Sequence, residues 1–563
     1  MAFTHQHYTL GLDYGTNSVR SLIVNTRNGE EVASATFNYP HGRDGIIEDT
    51  RKPDLARQHP WDYLQGAEET VTKAIQRAKN KQANFSPNQI IGMGIDTTGS
   101  SPMPVDADGR ALIEMKAFSN HPGAMVWLWK DHTAAQEAEE ITCAARKSCP
   151  EFLQHCGGNY SSEWFWAKLL HCIKTYPELI ETMHSWIEIA DWIPAVFTNK
   201  IKNPVRNICA AGHKALYHEK WGGYPDTDFL GNLHPDLVRI RKSLEGSQVQ
   251  GVDRPAGKLS AEWANRMGLT EGIPVATGAL DAHLGAVGCG IQPGSMVKIM
   301  GTSTCDIIVT PMERELPYIP GLCGIVPASV LPAHHGLEAG QSAVGDLFHW
   351  WVQTILKGSE HTHESLTTQA QQLQPGESGL LALDWNNGNR CLLCDPLLSG
   401  LILGQTLQTQ PYEIYRTLIE ATAFGARMIL ERLQSHGIVV SKIIACGGLA
   451  EKNPMLMQIY ADVTGRDIRV AKSSQTCALG AAVAASVAAG VHTDMNHAQA
   501  RMTGTLEKGY APSKRSSVVY DALFELYCQL HDSFSGEGNR SLPLHQIMKK
   551  LVKIRQSPGE GIH

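Results

Sequence analysis

The sequence predicts an α/β protein of two similar lobes, each a mixed sheet with helices on its faces. Three observations carry this. TLGLDYGTNSVRSLIV (9–24) reads as strand, Gly-Thr-Asn turn, strand. SMVKIMGTSTCDIIVTP (295–311) repeats that architecture without repeating its letters. After each hairpin, helical stretches alternate with short apolar strands that end at glycine.

Residues 8–39 read as three consecutive strands. Leu10 and Leu12 share a face of the first, and Asn28-Gly29 is a hairpin signal between the second and third. Residues 61–79 have helical spacing in Leu64, Ala67, Val71 and Ile75. Residues 90–95 form a short apolar strand that ends at Asp96-Thr97-Thr98-Gly99, so the chain opens β-β-β-α-β. Residues 120–246 are richer in Trp, His and loop signals, carry helices such as 162–176, and read as an elaboration of the first lobe. A strand at 274–277 runs into Gly278-Ala279-Leu280-Asp281.

The second hairpin follows. A long helix spans 412–436, with Pro411 at its first position and Gly437 beyond its end. A strand at 442–446 closes on Gly447-Gly448. Asn453-Pro454 caps a helix that stops at Gly465. Residues 467–471 form a strand. Residues 476–489 form an Ala-rich helix, ending at Gly490, whose small side chains let it lie close to a sheet. The polar, Lys-rich tail beyond Gly536 reads as a peripheral helix. The lobes divide at 288/289, giving 1–288 and 289–563.

A length of 563 residues suits two to four domains at roughly 150 residues each. With 42% apolar and 19% charged residues, the composition is that of a globular protein. A net charge of −7 removes the basic footprint of a nucleic-acid partner. It leaves room for anionic small ligands held by backbone donors. Thirteen cysteines, an odd number, and a start without a basic segment or long apolar core lead to the expectation of a reduced, cytoplasmic protein. The small-apolar stretch 477–491 is shorter than the ~20 residues a bilayer requires, so no membrane is expected.

Several motifs could carry chemistry. Asp13-Tyr14-Gly15-Thr16-Asn17-Ser18 sits at a strand-to-strand turn. Its glycine allows close approach of an anion, and successive N–H groups with the Thr16 and Ser18 hydroxyls can line a phosphate concavity. Asp13 suits a magnesium ion, held through water. Read alone, the same residues make a hairpin turn with a capping Asp. Gly301-Thr302-Ser303-Thr304 has matching chemistry at the second turn. If the lobes are pseudo-symmetric the two turns face each other, and a phosphate chain fits between them. Gly447 and Gly448 leave room for a flat ring against backbone, or make only a tight loop before Asn453. Asp281, at a strand end beside a phosphate turn, could accept a proton from an attacking hydroxyl. As an ordinary Asp, with a pKa of about 3.9, it would be ionised at pH 7. Its competing role is a helix N-cap. Cys391-x-x-Cys394 has no second pair, His361-Thr-His363-Glu364 lacks zinc spacing, and the phosphate-loop lysine and protein-kinase motifs are missing.

Together these residues resemble the FGGY family of carbohydrate kinases, within the actin-like (ribonuclease H-like) fold. GLDYGTNSVR and MGTSTCD resemble the two phosphate motifs, GALDAHLGAVG the catalytic-aspartate segment, and EATAFGARMILE with ACGGLAEKNPMLMQIYADVTGRDI the C-terminal signature and adenosine motif. GIDTTGSSPMPVDADG, WLWKDHTAAQEAEEI, YSSEWFWAKLLH, AAGHKALYHEKWGG and GLEAGQSAVGD resemble the branch that acts on L-ribulose. The glycerol and xylulose branches look different at the first two of these places.

The resemblance implies two actin-like lobes, each with a five-stranded mixed sheet, and an active-site cleft between them. The N-terminal lobe would carry most of the sugar site and the C-terminal lobe the adenosine site. It also implies ATP-dependent phosphorylation of L-ribulose at O5, with Mg²⁺, in arabinose catabolism. The implied partners are the sugar and ATP, with a homodimer as a candidate assembly. By the resemblance Asp281 is the catalytic base. Thr97, Trp129, Lys214, Asp281 and Glu338 line the sugar site, with Trp127 competing for the place of Trp129 and Thr98 beside Thr97. Gly15, Thr16, Asn17, Ser18, Gly301, Thr302, Ser303, Gly447, Gly448 and Asn453 hold the nucleotide, and Asp13 the metal. The residue types suit a ketopentose: Lys donates, Glu and Asp accept, and Trp covers a C–H face. The alternatives are a kinase for another ketose or polyol, an actin-like or Hsp70-like nucleotide switch, and a sugar-sensing regulator of related fold.

Overall fold

The computed structural model describes residues 6–535; the tail expected as a peripheral helix lies outside the described residues. The first sheet contains β1 (Tyr8–Tyr14), β2 (Ser18–Asn25), β3 (Glu31–Asn38), β4 (Ile90–Thr97), β5 (Pro274–Ala276) and β6 (Ala279–Leu280). Its spatial order is β3-β2-β1-β4-β5, with β6 paired to β4 and an outer strand, Pro255–Lys258, beyond β5. The second sheet contains β7 (Ser295–Met300), β8 (Thr304–Pro311), β9 (His334–Ala339), β10 (Lys442–Cys446) and β11 (Asp467–Ala471). Its order is β9-β8-β7-β10-β11, with Gly324–Pro327 and Thr505–Tyr510 on the two edges.

The two sheets follow one plan. β1 runs antiparallel to β2 and parallel to β4, and β7 runs antiparallel to β8 and parallel to β10. The five-strand core expected for each lobe is present, and the added strands bring each sheet to seven.

The helices are α1 (Pro60–Lys81), α2 (Ile208–Ala215), α3 (Asp281–Gly288), α4 (Pro411–Ser435), α5 (Pro454–Thr464) and α6 (Thr476–Ala488). Sequence dictates their ends. The Asn453 side chain accepts the Leu456 N–H at 3.0 Å to start α5, and Gly465, at φ 63°, ends it in the left-handed region. α1 buries Tyr63, Ala67, Val71, Ala74 and Ala78, one stripe of a 3.6-residue period. Between β3 and α1 the structure inserts a hairpin, Ile47–Asp49 with Lys52–Gln58, which the β-β-β-α-β reading lacked. Its charged sequence has no apolar alternation to signal strands.

α6 follows β11 of the second sheet yet lies on β1 and β4 of the first and crosses α3. Glycine makes this possible. A Cβ at Gly11 would lie 1.9 Å from the Ala478 carbonyl oxygen, and one at Gly480 would lie 1.8 Å from that of Leu284. The resulting core joins Leu22 of β2, Leu284 of α3, Ala481 of α6 and Val297 of β7, so the two lobes share buried apolar surface.

Candidate active site

The first wall of the site stands at the carboxyl ends of β1, β4 and β6. Asp13 and Asp96 are register partners on parallel strands, and β6, also paired to β4, delivers Asp281. Asp96 is 0% exposed, and among the described residues its oxygens have no hydrogen-bond partner besides the carboxyl of Asp13. The Asp13 carboxylate is 3.7 Å from the Arg20 guanidinium.

Burial, then the charges of Asp13 and Asp281, hold the Asp96 carboxyl well above the usual carboxylate range. Burial also raises Asp13, against the hydrogen bond it shares with Asp96. Burial and then the Asp13 charge push Asp281 up to about 7. The expectation that Asp281 is an ordinary, fully ionised carboxylate at neutral pH is therefore corrected: removal from water and like charges disfavour its anion. The N-cap of α3 is Leu280, and Asp281 is the first residue of the helix, accepting the Ala282 N–H at 2.7 Å.

The two hairpin turns are built alike. Gly15 donates its N–H to the Ser18 carbonyl at 3.0 Å, and Gly301 donates to the Ser303 carbonyl at 3.0 Å. Gly301 and Thr302 are exposed, and the Thr302 carbonyl is fastened by the N–H groups of Val344 and Asp346. The Thr16 hydroxyl accepts the Trp129 indole N–H at 3.0 Å. Gly447 follows β10 beside the second turn, with φ 92°, and a Cβ there would lie 2.5 Å from the Met300 carbonyl oxygen. The space above Gly448 is open.

Two expected side-chain roles are thereby reassigned to backbone. The Asn17 amide donates to the Asp44 carbonyl at 2.6 Å, and the Asn453 oxygen caps α5. Backbone donors and bare glycines remain, which fits a nucleotide cradle that reads phosphate and ring shape.

The second wall bridges the lobes. Lys214 of α2 donates to both oxygens of Glu338 of β9, at 3.1 and 3.0 Å, and the two residues are 4% and 3% exposed. Burial pulls the Lys214 ammonium down, but the charge of Glu338, its hydrogen bonds and the Glu163 charge together outweigh it, and the pKa stands above the ordinary value. For Glu338 burial is likewise outweighed, by Lys214 first, and its carboxyl is held well below the usual range.

Trp127 and Trp129 separate cleanly. Trp127 is 0% exposed, lies under the Arg57 guanidinium at 3.5 Å and donates to the Gly123 carbonyl. It is a core residue. Trp129 is half-buried and reaches the first phosphate turn through Thr16. Thr97 and Thr98 are buried at the end of β4, and their hydroxyls are spent on the Thr98 carbonyl and the Ser101 hydroxyl. The Thr97 hydroxyl is therefore a satisfied turn group. Lys168, fully buried, donates to the carbonyls of Ser100, Trp127 and Leu128, and so fixes both segments that flank the pocket.

Residue-by-residue reading missed three neighbours. Asp96 becomes visible only through the register with Asp13. Arg390 stands 3.6 Å from Glu338. His283, two residues after Asp281, lies 3.9 Å from Glu338 and is held neutral, its pKa lowered to about 4 by burial. All thirteen cysteines are free thiols, and Cys391 packs against Cys323 instead of pairing with Cys394. No helix among the described residues is long and apolar enough to cross a membrane.

Comparison with known proteins gives the family and the fold. The model of the N-terminal domain of the FGGY family of carbohydrate kinases matches residues 8–288, and that of the C-terminal domain matches residues 296–489. A ribulokinase from Shouchella clausii is 40% identical, over 99% of this chain and 100% of its own length. One from Halalkalibacterium halodurans is 39% identical, over 97% of each chain. The solved structure of xylulose kinase from Rhodospirillum rubrum superposes with a TM-score of 0.75 at 21% identity, covering 94% of this chain and 100% of that one.

Proposed function

The chain belongs to the FGGY family of carbohydrate kinases, and from that premise we propose that it is an ATP-dependent ribulokinase. It transfers the γ-phosphoryl group of ATP to O5 of L-ribulose, giving L-ribulose 5-phosphate for arabinose catabolism. The observation that carries the reading is the buried Lys214–Glu338 pair, one residue from each lobe, whose charges reach Asp281. A polyhydroxylated ketose offers both donors and acceptors to such a pair. The similar ribulokinases supply the choice of sugar. The lobes are assigned as 1–288 and 289–563, and unpaired thiols suit a reducing cytoplasm.

The residues present fit a divalent cation and a nucleotide. Asp13 and the buried Asp96 carboxyl are hydrogen-bonded to each other, and among the described residues the basic group acting on them is Arg20. The backbone at Gly15, Gly301 and Gly448 stands clear of side chains that would block an anion or a ring. When bound, Mg²⁺ neutralises charge on the transferring phosphates.

The chain does the rest. Lys214 and Glu338 hold the hydroxyls of the sugar, and Trp129 covers its C–H face. Asp281 accepts the hydrogen bond of the O5 hydroxyl, aims that oxygen at the γ-phosphorus, and takes its proton as the O–P bond forms. The turns at Gly15–Ser18 and Gly301–Ser303 donate N–H groups to the phosphates, and Gly447-Gly448 backs the adenine. Water is excluded when the two lobes close on their ligands.

A coupled ATPase assay with the four 2-ketopentoses tests the assignment: L-ribulose should give the highest kcat/KM, and preference for another ketose or a polyol would reassign the substrate. The tryptophans provide a second check. Trp127→Ala should cost about 3–5 kcal/mol in chemical denaturation, as large core truncations do. Trp129→Phe loses one hydrogen bond, worth ~1 kcal/mol, so it should leave the melting curve nearly unchanged and raise the KM for ribulose severalfold. A stability loss in Trp129→Phe with unaltered KM would return Trp129 to the core.

A further inference from the structure

A carboxyl at the buried end of β4 whose sole hydrogen-bond partner among the described residues is another acid destabilises the fold in its charged form unless something else satisfies it. Its surroundings add to that cost. Asp13 faces it from β1 and Asp281 from α3; among the described residues the basic group acting on it is Arg20 of β2, and that guanidinium already stands 3.7 Å from Asp13. Cys477, at the start of α6, feels these same carboxylates, and burial and then their charges raise its pKa. The first wall thus has three acidic groups, one of them fully buried, and one guanidinium.

We infer that Asp96, together with Asp13, forms the carboxylate pair that holds the divalent cation of the metal–nucleotide substrate. Hard cations take oxygen ligands, and two carboxylates from adjacent parallel strands present them from a rigid base. The cation supplies the charge that Arg20 alone does not. Asp13 is then half of the site. The inference rests on the kinase reading only through the need for a metal–nucleotide complex.

The test is Mn²⁺ binding to the full-length protein with ADP, read by electron paramagnetic resonance of free Mn²⁺, well below the melting temperature. Wild type is compared with Asp96→Asn and Asp96→Ser. Loss of even an outer-shell partner of a metal ligand typically weakens affinity about 10–100-fold, and a Kd raised by at least that order is expected in both variants. Asp96→Asn should melt no lower than wild type without metal, because an amide never has to carry a charge at this buried position. Unchanged Mn²⁺ affinity in both variants overturns the inference and makes Asp96 a permanently neutral acid paired with Asp13. Wild type that binds no Mn²⁺ with ADP overturns it as well. Wild type that binds Mn²⁺ but phosphorylates no ketopentose sinks the ribulokinase reading and leaves this inference standing, whereas active wild type with metal-insensitive variants does the reverse.

Discussion

Asp281→Asn should lower kcat by roughly 10²–10⁴, the usual contribution of a positioned general base, while ribulose binding changes far less. Asn keeps the size and the hydrogen bond from the Ala282 N–H but cannot take the O5 proton. A helix-start role predicts something else, because Asn serves well at helix N-termini, and rate and stability would both survive. The raised pKa sharpens the prediction. With the Asp281 carboxyl at about 7 in the free protein, the base is protonated below neutrality. The acidic limb of kcat/KM should then fall about tenfold per pH unit below an apparent pKa near 7, a value that belongs to the interacting carboxylates jointly.

Stability follows the same titration with the opposite preference. A carboxyl whose folded pKa lies above its unfolded value of ~3.9 favours the fold in its protonated form. That contribution is complete below the unfolded pKa and is lost as pH rises through about 7. Asp281→Asn cannot ionise, so at pH 8 it should melt at or above wild type. A variant that retains more than about a tenth of wild-type kcat would contradict the base assignment, given that expected loss.

Lys214→Ala is the second large effect. Breaking one side of a buried ion pair leaves the other charge unpaired and costs about 3–5 kcal/mol. Lys214 and Glu338 are both almost completely buried and lie on different lobes, so the loss should appear in the denaturation midpoint of either single variant. The KM for ribulose should also rise tenfold to a hundredfold, from the loss of about 1–3 kcal/mol in hydrogen bonding, with the KM for ATP spared.

The double variant Lys214→Met with Glu338→Gln separates the two roles. Neutral groups of similar size often replace a buried pair at little cost in stability, so much of the midpoint should return. The KM for ribulose should stay high, because neither Met nor Gln reproduces the charged hydrogen bonds to the sugar. If calorimetry finds unaltered ribulose affinity in both Lys214→Ala and Glu338→Ala, the pocket lies elsewhere.

Local chemistry made much of this legible in the sequence. The hairpins at Gly15 and Gly301, the capped helix from Asn453 to Gly465 and the small-residue helix ending near Gly490 each obey short-range rules of turn, cap and close approach. What sequence could not supply were relations across the chain. Lys214 and Glu338 are 124 positions apart, and no periodicity connects them; the family resemblance brought them together.

Asp96 ended a recognisable strand, but its importance depends on standing opposite Asp13 in register. Trp127 and Trp129 share a face in any continuous strand, so alternation could not divide them. The strand here is only Val126–Trp127, and the chain turns after it. Asp281 kept its ordinary pKa on paper because burial and the Asp13 charge are properties of the folded wall alone. Asn17 and Asn453 looked like ligands for the nucleotide, and local carbonyl and helix-end partners claimed them first.

Phosphorus and carbon magnetic resonance of a reaction containing the protein, ATP, Mg²⁺ and L-ribulose distinguishes transfer of phosphoryl to O5 of the sugar from every other outcome. A new phosphomonoester coupled to C5, formed in step with ADP, is expected. ADP without a sugar phosphate, or phosphate carried on another carbon, would overturn the assignment of Asp281 and of the sugar site.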